Sequence, residues 1–286
     1  MGLRTILVCL LAAGCGGNGS GTDGGNGIGT TCTSGKVQDA VVTKMKFVEQ
    51  PAPGVSPGFN LDDRVSPSQD EATCGIKDLK DPDGREGIDN QLSVLVPVIN
   101  RETNNALDGL LQGAINNGML LVGFTFKHLE SRKDDDCVDV EIRHLKGTPA
   151  VGSDGILDAN QTFDTVKGDP VSIVRGTVRG GVVEAGPFEA ALPVKILDAN
   201  FILKIHRARV RITLRDDGTL SGLLGGGIAK QDILDNLLPL GIGENLKKVL
   251  PGTLDTIADL DRDEMGKCRQ FSSAILVDGK NAFINP

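Results

Sequence analysis

The sequence predicts an α+β domain on a largely antiparallel sheet, a sandwich or a curved meander, with short helices set apart from the strands. Three observations carry this. Apolar side chains recur at three- and four-residue steps between Ile88 and Ile115, then alternate from Met119 onward. The longest alternating run, 200–215, ends at Asp216-Asp217-Gly218, a hairpin turn signal. Helical stripes return only after residue 229, interrupted by Pro239 and Pro251.

In order, residues 40–49 read as a first strand. Residues 50–74 hold four Pro and several Asp and form a long loop ending at Cys74, followed by an acidic, Gly-punctuated loop at 75–90. Ile88, Leu92, Leu95, Val96 and Ile99 mark a helix with Asp89 as its cap, kinked or split at Pro97. Ala106, Leu107, Leu110, Leu111, Ala114 and Ile115 mark a second helix, stopped by Asn117-Gly118. Residues 119–129 read as a strand. In 137–145, Val138, Val140, Ile142 and His144 oppose Asp139, Glu141 and Arg143, the pattern of a half-buried antiparallel strand. Further strands are expected at 160–167, 171–178, 181–185, 187–196, 200–215 and 219–228. Helices are expected at 230–238, 244–250 and 253–260, and a closing strand at 270–277.

The composition excludes several classes. Among 286 residues there are 30 Lys+Arg against 38 Asp+Glu, a net charge of −8, with no Trp, no Tyr and nine Phe. A sequence-blind basic grip on nucleic acid is disfavoured by that balance, and aromatic platforms for stacking are nearly missing, so no nucleic-acid partner is expected. Gly numbers 38, about 13% against a usual ~7%.

The N-terminus reads as an address. Arg4 precedes an apolar run, Thr5 to Ala13, far shorter than the ~20 residues of a membrane span. Leu11-Ala12-Ala13-Gly14-Cys15 resembles a bacterial lipobox, with Ala12 where that pattern most often has Leu. The resemblance implies a signal over residues 1–14 and a diacylglycerol-modified Cys15, since a thiolate is the side chain readily alkylated. Residues Gly16 to Thr31 hold eight Gly in sixteen positions and cannot bury enough surface to order themselves, so 15–31 reads as lipidated Cys and flexible tether. By the same resemblance, Gly16 in place of the Asp that marks inner-membrane retention favours the outer membrane. Residues 32–286 are left as a single globular α+β domain. The stretch DPDGREGIDNQL, from Asp81, faintly resembles a segment of secreted bacterial lipoproteins, and no activity travels with it.

Cys9 leaves with the signal and Cys15 carries lipid. Cys32, Cys74, Cys137 and Cys268 remain as candidates for two disulfides, with three connectivities open.

Chemistry-bearing motifs are few. Asp81 and Asp83, and Asp259, Asp261 and Asp263, alternate as calcium-loop ligands do, making calcium a candidate cofactor. The EF-hand pattern fails, with Glu264 where it needs Gly and Gln270 where it needs Glu. Solvated loops and turns are the competing reading. Gly54-Val55-Ser56-Pro57-Gly58 matches a nucleophile-elbow string in a Pro-rich loop, the wrong setting. His128, His144 and His206 lack metal-ligand spacing. Arg207, Arg209, Arg211 and Arg215 form a stripe that could hold an anion, or pair with acids such as Asp139 and Glu141.

The expectation is therefore a lipid-anchored cell-envelope protein, a non-enzymatic binding or structural module with calcium as an optional structural ion. Its expected partners are the membrane, through the anchor, and an envelope protein or polysaccharide. The alternatives are a periplasmic metal-assisted hydrolase and a carrier of an apolar ligand in a sheet–helix cavity.

Overall fold

A computed structural model describes residues 32–102, 106–196, 199–239 and 244–286. The signal, Cys15 and the tether lie outside the described residues. The strands are β1 (Lys36–Phe47), β2 (Leu79–Lys80), β3 (Glu86–Ile88), β4 (Leu121–Leu129), β5 (Asp135–Lys146), β6 (Gln161–Thr165), β7 (Ser172–Arg179), β8 (Val182–Ile196), β9 (Ala199–Leu214), β10 (Thr219–Ala229), β11 (Ala258–Arg262) and β12 (Cys268–Asn285). The helices are α1 (Leu92–Glu102), α2 (Ala106–Asn116), α3 (Lys230–Leu237) and α4 (Glu244–Ile257).

Strands β1, β4, β5, β7, β8, β9, β10 and β12 pair antiparallel in that order, and β12 returns to pair with β1. The meander therefore closes into an eight-stranded barrel, which removes the free edges an open sheet would carry. β6 lies beside the ring, antiparallel to β5 and parallel to the end of β12. β11 pairs with the start of β12, and β2–β3 form a separate ribbon.

The period-two pattern fixes which face turns inward. Ala40 pairs with Phe124, Val140 with Phe126 and with Val174, Val183 with Ile212, and Leu220 with Leu214. Apart from the half-buried Val174, these side chains are buried in one continuous core. An eight-stranded ring is just wide enough for side chains to fill, and here Phe, Val, Leu and Ile fill it. Ala208, Val210, Ile212 and Leu214 are buried as the alternation requires, while Arg207, Arg209 and Arg211 stand outside.

Two further clusters wrap the ring. Val48, Phe59 and Leu61 pack with Leu223, Leu260 and Ala274 on its outer face. Gly225 permits this, because a Cβ there would come within 2.8 Å of the Phe59 ring. Leu92 and Leu95 of α1, Ile233 and Leu234 of α3, and Leu254 and Ile257 of α4 gather on Ile228 and Phe271, where β10 ends and β12 begins.

Several boundaries differ from the sequence reading. The strands expected at 181–185 and 187–196 are one, β8, running through Gly186-Pro187. The helices expected at 244–250 and 253–260 are one, α4, with Pro251 inside it, and residues 258–262 are strand instead. α1 likewise keeps Pro97 inside it. β12 runs eight residues beyond 277, because Asp278-Gly279 is no turn: Gly279 is a strand position where a Cβ would meet the Val41 carbonyl at 2.8 Å.

Candidate functional site

The acidic loops become one structural unit around β12. Cys74 and Cys268 are joined, which ties the loop ending at Cys74 to the first residue of β12. Cys32 and Cys137 are joined as well, which ties the first described residue to β5. Of the three connectivities open to four cysteines, this is the one formed.

Residues 89–93, Asp-Asn-Gln-Leu-Ser, knit the loops to the barrel. The Asn90 side chain accepts from the Ala274 amide at 2.9 Å and donates to Ser56 Oγ at 2.9 Å and the Pro57 carbonyl at 3.0 Å. The Gln91 amide donates to Ser272 Oγ at 2.9 Å, and its side chain donates to the Lys77 carbonyl. Ser93 Oγ donates to the Asn90 carbonyl. Satisfying these polar groups internally is what lets a loop rich in Pro and Asp lie buried.

Three carboxyls lie inside this unit. Asp259 accepts from the Ser272 amide at 2.8 Å and from Ser272 Oγ at 2.6 Å. Asp89 Oδ2 accepts from the Leu61 amide at 2.6 Å, and Asp78 Oδ2 from the Ser66 amide at 2.6 Å. Burial pushes Asp89 up to about 8 and Asp259 up to about 7, with the neighbouring acids adding to both. Burial also raises Asp78, against the pull of the Ser66 amide. Among the described residues no Lys or Arg forms an ion pair with any of the three.

The sequence-predicted calcium ligands are placed apart from one another in role. Asp81 locks its own turn: its side chain takes the Arg85 amide at 2.7 Å and the Arg85 guanidinium. Burial works to raise it, but the Arg85 amide and guanidinium outweigh that and hold it below the usual carboxylate range. Asp83 is exposed. Asp263 locks the β11–β12 turn by accepting from the Met265 and Lys267 amides, which lower it. Asp261 pairs with Arg269. Only Asp259 joins the buried cluster. Among the described residues no three His, Cys, Asp or Glu side chains are gathered so as to hold a metal ion by themselves.

The arginine stripe is paired. Arg207 and Arg209 meet Asp63 of the loop, Arg211 meets Glu184 of β8 and stacks on Phe59, and Arg215 donates to Ser221. The partners are not Asp139 and Glu141, which lie on another part of the ring and bind Arg175, and Arg143 with Lys127. His128, His144 and His206 pair with Asp139, Asp169 and Glu189. Ser56 is fully buried and serves as Asn90's acceptor. A surface hollow of about 420 Å³ lies beside the Cys32–Cys137 disulfide, lined by Ser34, His128, Glu130, Asp134 and Arg179 among others.

Grouping the acids by alternate spacing leaves out Asp78 and Asp89, on either side of the β2–β3 ribbon, which are buried along with Asp81 and Asp259. The signal that could have found them is Asn90-Gln91-Leu92-Ser93, a polar run entering a helix from an acid.

Comparison with protein-family models, with curated proteins and with solved structures finds no match to this chain.

Proposed function

We propose that this chain is a lipid-anchored cell-envelope protein whose barrel serves as a non-enzymatic binding or structural module, held at the outer membrane. The observation that carries the reading is the pairing of all four cysteines after Cys15. Two disulfides suit an oxidising compartment, and they leave Cys15 without an intrachain partner among those four, free to take lipid. The tether then enters the barrel at Cys32, clamped to β5.

The distribution of polarity supports an anchor over a spanning barrel. Apolar side chains fill the interior and Arg, Asp and Glu stand on outer faces, the reverse of a transmembrane barrel with its polar lumen and apolar belt. No described helix is long and apolar enough to cross a membrane. The filled interior favours a structural or surface-binding role over a carrier. The turn-locking roles of Asp81 and Asp263 favour it over a hydrolase.

The test is fractionation of cells expressing the native chain and Cys15→Ser. The native protein is expected in the outer-membrane fraction and the variant in the soluble envelope fraction or retained as precursor. An unchanged distribution would overturn the anchor.

A further inference from the structure

Two buried oxygens in the loop unit have no hydrogen-bond partner: Asp89 Oδ1 and Ser66 Oγ, on residues 1% and 2% exposed. They belong to one place. Ser66 and Asp78 are paired in both directions, the Ser66 amide donating to Asp78 Oδ2 at 2.6 Å and the Asp78 amide to the Ser66 carbonyl at 3.1 Å, and the Asp78 and Asp89 carboxyls are within hydrogen-bonding reach of each other. Asp62 adds a further negative charge in range of both.

Two abutting carboxylates cannot donate to one another. Asp89, pushed up to about 8, can carry a proton towards Asp78 in the cation-free protein; when both are charged, Asp89 Oδ1 is a buried anion that needs a cation to complete it. Arg64, the cationic side chain of residues 62–66, pairs with Asp70. Asp259 cannot serve as that partner, and both its oxygens are already occupied by Ser272. The donors left over are oxygens only, the chemistry of a hard cation.

We propose that a calcium ion binds between Asp78, Asp89 and Ser66, held by the two carboxylates and the hydroxyl, with water or main-chain oxygens completing its shell. The ion would join loop residues 62–66 to the β2–β3 segment. The cluster lies within the unit that Cys74–Cys268 fastens to the barrel, so the ion and the disulfide stabilise the same loops. The proposal does not depend on lipid anchoring.

The test uses full-length protein with intact disulfides, stripped with EDTA at pH 7.5. Equilibrium dialysis against radioactive calcium should find one equivalent bound. Calcium at about a hundredfold excess over Kd should raise the melting temperature, read by far-UV circular dichroism, by about 5–10 °C. Asp89→Asn should abolish both effects, and Asp263→Asn, at an exposed turn, should keep them. Should Asp89→Asn fail to fold, Ser66→Ala should weaken binding by at least the roughly tenfold that loss of a supporting group costs a metal site. Absence of calcium binding to the native chain, or equal binding by Asp89→Asn, overturns the proposal. A calcium-insensitive protein whose melting temperature falls between pH 7 and 9, with that fall removed by Asp89→Asn and kept in Asp259→Asn, would show a proton shared between Asp78 and Asp89 in the ion's place and overturn the proposal.

Discussion

Asp259 grips Ser272 twice, taking its amide at 2.8 Å and its hydroxyl at 2.6 Å, while that same hydroxyl accepts the Gln91 amide at 2.9 Å. One serine on β12 thereby joins β11 to the entry of α1, and no water is needed to complete the bonds. Ser272→Ala leaves Asp259 Oδ2 and the Gln91 amide buried without that partner. The expected loss is about 1–3 kcal/mol in urea unfolding. A variant as stable as the native protein would show that the network contributes nothing.

Acidity follows from the same burial. Asp259 titrates at about 7 in the folded, cation-free protein and near the ordinary carboxylate value when unfolded. Between those values the folded state binds more protons than the unfolded state at this group, so the stability that Asp259 contributes is full below about pH 4 and declines as pH rises towards 7. The share from Asp259 is on the order of a few kcal/mol and levels off above its folded value. Melting temperature measured in EDTA across pH 4–9 should fall accordingly, and Asp259→Asn should lessen the fall and leave the share of Asp89, which is raised to about 8. A native profile that rises over that range contradicts the assignment.

Reduction should act chiefly on the loops. Cys74 and Cys268 are 194 residues apart, and their link restrains a large unfolded loop. The Cys74→Ser/Cys268→Ser variant should lose about 2–5 kcal/mol, with hydrogen exchange accelerated first in residues 62–90. Uniform acceleration over the whole barrel would show instead that the disulfide holds the ring.

Phe59 is the apolar bolt of the loop, seated on Gly225 with Arg211 stacked on it 5.2 Å from the ring centroid. Phe59→Ala should cost about 3 kcal/mol or more. The same variant should free Arg207 and Arg209 for anions, because the loop also carries their partner Asp63, while Arg211 loses its ring contact and keeps Glu184. Binding of a sulfated polysaccharide to the variant and not to the native chain is the readout. Equal binding by both would show the stripe is already open.

Much of the ring was legible because alternation is local. Val138, Val140 and Ile142, and Ala208 to Leu214, declare their buried face within a few residues, and the structure agrees. Closure was not legible, since the pairing of β1 with β12 joins the two ends of the domain and leaves no local trace. The continuation of β12 past Asp278-Gly279 was hidden for a related reason: a glycine needed for close strand approach looks the same in sequence as a glycine in a turn. Of the acidic residues, Asp81 and Asp83 have the alternate spacing of calcium-loop ligands, yet such spacing also serves turns. Asp78 and Asp89 matter through what folds over them, which only the three-dimensional arrangement of residues 56–66 reveals.

The anchor is tested most directly by mass spectrometry of the N-terminal peptide of protein isolated from membranes. The expected result is a chain beginning at Cys15 and carrying a diacylglycerol, with or without a further acyl group, and palmitate label lost in Cys15→Ser. An unmodified Cys15, or a mature chain beginning after it, would contradict the lipid-anchored reading.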